Sequence, residues 1–457
     1  MAKTERTVIF EQTPIPRAVL TLAIPMVAAS LVTVLYSLAD TWFVGLLSDP
    51  IETAAVTLAA PVLLAFNAVN NLFGVGTGSM MSRALGRKDF DTVKRASSFG
   101  FYCAAFSGLL FSLLVSIFMP GLLRLLGADA DNRAATQEYL FWTVCCGAIP
   151  SILNVVLGNL VRSEGESLHA SIGTMSGCFL NILLDPVFIL PWGLDLGAAG
   201  AGLATFLSNL AACLYFFVLL RKRRGKTFVS LSFRLFGFRR AIVLGIFAVG
   251  VPAAIQNLLN VTGMTVLNNF TAAFGSDAVS AMGIAQKVHL VPLYVTMGIS
   301  QGVMPLVGYN YASGNSGRMK RAILFTGTVM ILFQITVTVG IFLAAGPLVA
   351  LFMKNETIVA YGGPLLRGMC LCLPLMCMDF LAVGVFQACG MGRKALIFAI
   401  LRKIVLEIPL LVLLNRLWPL YGLAYAQPIA ELVLAAAAVF SLRRIFRSLP
   451  KSEEESV

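Results

Sequence analysis

Apolar residues in this chain run on in stretches of about 20, separated by short polar segments, with no strand-like alternation. A helix of that length spans a hydrocarbon layer about 30 Å thick. In lipid every backbone N–H and C=O must be bonded internally, so the runs predict helices and not an open sheet. Twelve spans are predicted: 18–45, 53–79, 96–118, 137–161, 168–192, 197–220, 241–271, 279–311, 322–346, 358–388, 396–416 and 420–442. The first follows Lys3, Arg6 and Arg17, lacks a small-residue cleavage site and carries Asp40, so it reads as a retained helix.

The pattern is duplicated. Asn181-Ile182-Leu183-Leu184-Asp185-Pro186 returns as Lys403-Ile404-Val405-Leu406-Glu407-Ile408-Pro409. Gly200 pairs with Gly422, Gly165 with Gly390, Pro25 with Pro252 and Gly86 with Gly314, at spacings of 222 to 228 residues. Each copy holds six spans, so both enter the membrane in the same sense, as parallel repeats about an axis along its normal. The expected fold is an all-α polytopic membrane protein of two six-helix bundles facing each other across a central cleft. The expected division is an N-terminal lobe 1–220, a basic linker 221–240, a C-terminal lobe 241–446 and a disordered tail 447–457.

Composition supports that class. The chain is 58% hydrophobic and 12% charged, about half the charge of soluble domains, which is near 25%. Its net charge of +12 is a topology signal and not a nucleic-acid footprint. Most Lys and Arg fall in the terminal segments and alternate loops, while the opposite loops hold only Arg124, Arg133, Lys354 and Arg416. The positive-inside rule then places both termini in the cytoplasm of a plasma (inner) membrane protein. The nine cysteines lie in or at the ends of spans and contain no Cys-x-x-Cys pair, so they read as packing residues. The linker interleaves eight basic residues with Phe228, Phe233, Phe236 and Phe238. It reads equally as a segment lying along an anionic leaflet or as a plain solvated connection. Its Gly225-Lys226-Thr227 lacks the glycine five residues earlier that a phosphate loop requires.

Four acids lie inside apolar spans, Asp40, Asp185, Asp379 and Glu407, and Glu431 sits nearer a helix end. Each charge at bilayer depth costs about 2.5–3.5 kcal/mol, so these acids face a cavity, pair, or bind cations. Asn181 precedes Asp185 by one turn, as Tyr36 precedes Asp40, and Thr205 offers a hydroxyl. Such a cluster can take up a proton or hold a sodium ion through its oxygens. In the second half, Lys403 stands four residues before Glu407 beside Arg402, and the two can neutralise it. Lys287 and His289 complete the ionisable groups early in the eighth span.

Ser82-Arg83-Ala84-Leu85-Gly86, Asp40-Thr41-Trp42-Phe43-Val44-Gly45, Asn181 through Pro186, and Val303 through Tyr311 together resemble the MATE (multidrug and toxin extrusion) transporters. The resemblance implies two lobes that alternate access, and export of cationic amphiphilic compounds in exchange for inward sodium or protons. It implies no cofactor beyond the coupling ion and no enzyme activity. Carried over by position, the cation site is Asp40, Asn181, Asp185 and Thr205, with Tyr36 beside it. A second polar set comprises Gln256, Asn260, Asp379 and Glu407, where amides stand in place of the seventh-helix glutamate of some branches. The competing readings are a lipid-linked oligosaccharide flippase, which needs basic residues in its cleft, and an intramembrane prenyl-phosphate enzyme, which needs clustered metal ligands. Small organic cations and membrane lipids are the expected partners, and nothing in the sequence demands more than a monomer.

Overall fold

The structure, a computed structural model, describes residues 4–47, 49–353 and 355–449, and among them there is no strand. A short α1 (Thr4–Glu11) precedes α2 (Ile15–Leu46), α3 (Pro50–Gly86) and α4 (Phe90–Leu125). Next come α5 (Arg133–Leu140), a π-helical turn Phe141–Cys146, α6 (Ala148–Ser163), α7 (Ser167–Ile189) and α8 (Gly197–Lys222). The second half holds α9 (Arg240–Ala272), α10 (Ser276–Ala312), α11 (Ser316–Phe352), α12 (Glu356–Cys370) and α13 (Leu373–Ala388). It ends with α14 (Gly392–Ile400), a second π turn Leu401–Glu407, α15 (Ile408–Leu417) and α16 (Tyr421–Ser448).

Each of the twelve expected spans coincides with one helix or one bent run. Eight single helices among the described residues are long and apolar enough to cross a membrane, and two bent pairs raise this to ten. The remaining two spans are the run Gly392–Leu417 and α16, which carry Arg402, Lys403, Glu407 and Glu431. The bends fall at matching places in the two repeats: 48° at the end of Arg133–Cys146 and 43° after Glu356–Cys370. Pro150 and Pro374 follow them directly; a proline there removes a backbone donor and breaks the ladder. Of the expected tail, Arg447 and Ser448 belong to α16, and residues 450–457 lie outside the described residues.

The repeat also governs helix starts. Asp89 caps α4 by accepting from Thr92 N–H at 3.1 Å, and Asn315 caps α11 by accepting from Arg318 N–H at 3.0 Å. The residue before each cap is left-handed, Lys88 at φ 58° and Gly314 at φ 79°. Gly314 therefore corresponds to Lys88, not to Gly86 as the sequence suggests, because the cap, and not the helix end, demands the left-handed turn.

The chain forms two compact units, Met1–Gln12 with Ala28–Ala254, and Thr13–Val27 with Ile255–Val457. The front of α2 thus belongs to the second unit and the front of α9 to the first. Both changeovers fall two residues beyond a helix-interior proline, Pro25 or Pro252. Glycines allow the close contacts: Gly76 and Gly250 on the backbone of Ile246 and Leu72 in the first unit, Gly302 on Leu22 in the second.

Packing of α7 on α8 sets the site described next. Gly173 lies against the ring of Phe216, which is fully buried. Gly173→Ala is expected to cost about 1–3 kcal/mol by overpacking, read as a lower thermal midpoint in detergent, with Phe216→Leu restoring it.

The linker does not float. The Glu164 carboxylate accepts from Thr227 Oγ1 at 2.8 and 2.9 Å and from Phe228 N–H at 2.8 Å. Ser98 donates to the Ser232 carbonyl at 2.8 Å and Tyr102 to that of Leu231 at 2.8 Å. Phe228 is buried and stacks on Phe90 at 5.1 Å. The linker's aromatic half is therefore spent on the first unit, while Phe233 and Phe238 remain exposed. Glu164→Ala orphans a buried N–H, which costs about 1–3 kcal/mol. Faster tryptic cleavage at the linker's basic residues is the expected outcome; unchanged cleavage would count against this anchor.

Candidate functional site

In the first unit, α7 presents Asn181 and Asp185 on one face, both buried, Asp185 fully. The Asn181 amide is satisfied at both ends in one orientation, the other offering only a 3.4 Å contact from its nitrogen to Thr205 Oγ1. In the first, its nitrogen donates to Asp185 Oδ2 at 2.8 Å and its oxygen accepts from the Thr205 backbone N–H at 3.1 Å. Tyr36 of α2 lies beside Thr205, with Asp40, Asp185 and Tyr139 in electrostatic reach. All five residues expected at this site are therefore brought together. The polar line continues from Thr205, whose carbonyl accepts from Asn209 Nδ2 at 2.9 Å, while Asn209 Oδ1 accepts from Asn154 at 3.2 Å.

Tyr139, at the end of α5 and nearly fully buried, belongs to the same cluster. It carries no local signal, since its neighbours in the site come from other helices. Among the described residues the site also lacks a built-in counter-charge. The ion pairs seen in the first unit include Lys88–Glu11, Arg95–Asp91, Arg223–Glu166 and Arg239–Asp91, all at helix ends. None involves Asp40 or Asp185. A buried carboxylate with neutral hydrogen-bond donors and no fixed cation is suited to accept a mobile one.

The second unit answers the same problem differently. Lys403 occupies the position of Asn181 in the repeat, and its Nζ contacts both oxygens of Glu407 at 2.7 and 2.6 Å. Glu407, the counterpart of Asp185, is thus neutralised by its own helix. Arg402 does not join it. Its guanidinium reaches Asp379 Oδ2 at 3.2 Å and Glu431 Oε1 at 2.7 Å, and lies 4.8 Å over the Phe380 ring. The π turn Leu401–Glu407 carries Arg402, Lys403 and Glu407; π turns often occur where a helix is adapted to a site. Of the other expected residues here, Gln256 Oε1 accepts from Gln387 Nε2 at 3.2 Å. Asn260 lies on α9, whose Gly263 packs against the Lys403 and Glu407 side chains, and no hydrogen bond from Asn260 to Asp379 or Glu407 is seen among the described residues. Glu431, set aside by position near a helix end, is fully buried; only its distant partners reveal that. No group of three or more His, Cys, Asp or Glu able to hold a metal occurs among the described residues.

The comparisons with known proteins agree with this duplicated architecture. The MatE family profile matches the chain twice, over residues 25–187 and 252–413. The chain is similar to the multidrug export protein MepA of Staphylococcus aureus (strain MRSA252), at 34% identity over 438 residues, 96% of this chain and 95% of the relative. A protein of the same name from Staphylococcus saprophyticus is 33% identical over 439 residues, with the same coverage. A crystal structure of a MATE protein in the straight conformation matches with a TM-score of 0.91 at 26% identity, over 98% of this chain and all of that one. The outward-facing conformation of a multidrug resistance MATE transporter of the MOP superfamily matches with 0.91 at 26%, over 97% and 99%.

Proposed function

Because the chain belongs to the MatE family, and is a multi-pass membrane transporter of its multidrug-efflux kind, we propose that it exports cationic amphiphilic compounds in exchange for an inward proton or sodium ion. The exchanging ion occupies the Asp40/Asp185 cluster. One observation carries this reading: Asp185 is fully buried with a neutral amide partner and, among the described residues, no fixed cation, whereas its repeat counterpart Glu407 holds Lys403. Binding an ion removes the cluster's negative charge, and releasing it restores that charge. Asp40 sits on α2, whose front half belongs to the second unit, so a charge change at Asp40 acts on a helix common to both. The drive on alternating access can be no larger than the ion's difference in affinity between the two arrangements. The charge pattern of the loops supports cytoplasmic termini in the plasma membrane.

The test is efflux of a fluorescent organic cation from proteoliposomes, with a proton gradient and a sodium gradient imposed separately. Export driven by one gradient supports the reading and names the ion. Export driven by neither would overturn it.

A further inference from the structure

We infer that the linker 221–240 anchors the first unit to the membrane surface, with Phe233 and Phe238 set among acyl chains and Arg234 holding the phosphate of an anionic phospholipid. The inference needs only that the protein spans a membrane, and it shares no residue with the Asp40/Asp185 cluster.

The linker dips along α4 and returns. Phe228 stacks on Phe90 at the helix start, and Ser97 Oγ accepts from Ser230 N–H at 2.9 Å. Ser98 and Tyr102 donate to the carbonyls of Ser232 and Leu231. Phe233 and Phe236 then lie against Tyr102, with ring centres 5.3 and 5.6 Å apart. On the way back Phe236 and Phe238 meet Phe99 at 6.0 and 5.6 Å, and Arg239 reaches Asp91 at 3.4 Å. The last charges of α4 before its apolar run are Lys94 and Arg95. Phe99 and Tyr102 stand beyond Arg95 by about 6–10 Å of helix rise. That matches the depth of about 5–10 Å to which an interfacial segment buries its apolar face.

Two features distinguish this course from a solvated connection. Irregular backbone at such a depth needs its polar groups bonded within the protein, and the hydroxyls of α4 supply those bonds. Phe233 and Phe238 are 68% and 76% exposed on the outside of a ring cluster whose inner member, Phe99, is buried. Rings in that position are unfavourable against water and favourable against acyl chains.

Charge selects the lipid. Glu166 takes Arg223 and Asp91 takes Arg239. Arg221, Lys222, Arg224, Lys226, Arg234 and Arg240 have no ion-pair partner among the described residues. Arg234 follows Phe233 in the 3₁₀ turn Phe233–Leu235, at the deepest part of the dip, where a cation without a counter-ion is expensive. A lipid phosphate offers paired oxygens to the guanidinium fork. An anionic headgroup adds attraction for each basic residue near the surface, whereas the ammonium of a zwitterionic headgroup cancels it.

The test is chymotryptic cleavage at Phe233 and Phe238 of the full-length protein in nanodiscs, which leave the cytoplasmic face accessible. Cleavage should be about tenfold slower in discs containing phosphatidylglycerol than in discs of phosphatidylcholine alone. Arg234→Gln/Arg240→Gln should bring that ratio close to one. The same double variant should keep its thermal midpoint in detergent, because neither residue belongs to an ion pair among the described residues. The added emission of Phe238→Trp, taken against unmodified protein, should be quenched by lipids brominated on their acyl chains. Quenching by aqueous acrylamide with none by brominated lipid would overturn the inference. So would equal cleavage in the two kinds of disc, a ratio that survives in the double variant, or equal protection of phosphatidylcholine discs by inorganic phosphate. None of these outcomes depends on which ion or substrate the protein transports.

Discussion

Replacing Arg402 by methionine is expected to destabilise the second unit by about 3–5 kcal/mol, the cost of removing one partner from a buried ion pair. Two carboxylates would then face each other with no cation, at 1% and 0% exposure. They would also lose the guanidinium that lies over Phe380. The measurement is thermal unfolding of purified protein, with membrane yield as a second readout. The triple variant Arg402→Met/Asp379→Leu/Glu431→Leu should recover most of the loss, because apolar replacement of a whole buried ion cluster is often neutral or stabilising. A midpoint unchanged in Arg402→Met alone would mean the triad is not a fixed ion cluster. Lys403→Met should behave similarly through Glu407, since Lys403 Nζ is bound to both of its oxygens.

The second large effect is on transport and not on stability. Asp185→Asn should bring gradient-driven export down to the level of empty liposomes while the protein remains folded. The substitution removes a charge whose burial at bilayer depth costs about 2.5–3.5 kcal/mol, so the thermal midpoint should hold or rise. The amide can still accept from Asn181, which donates to Asp185 Oδ2 at 2.8 Å. Asp40→Asn should give the same pattern, because α2 brings Asp40 within electrostatic reach of the same cluster. Passive exchange of substrate down its own gradient should survive in both variants. Full driven export by both would remove the cluster from the coupling mechanism. The opposite signs of the stability effects at Asp185 and Arg402 separate a site that waits for a mobile cation from one that already contains its own.

The helices were legible from the chain because bilayer thickness sets their length, and no tertiary knowledge is needed to see an apolar run of about 20 residues. The duplication was legible for the same reason, since the matching prolines, glycines and acids recur at one spacing. Pairs four residues apart on one helix were also within reach: Asn181 with Asp185 and Lys403 with Glu407 meet because helical geometry alone brings them onto one face. That much the sequence determined by itself. Only the tertiary structure decided that Arg402 passes over Glu407 on its own helix and joins Asp379 of α13 and Glu431 of α16. The same holds for Tyr139 entering the cluster around Asp185, for the linker packing on Glu164 and Phe90, and for α2 and α9 each dividing between the two units. Each of these is a contact between residues far apart in the chain, and its partner is chosen by how helices pack and by which buried charges must be compensated. Local spacing carries no record of either.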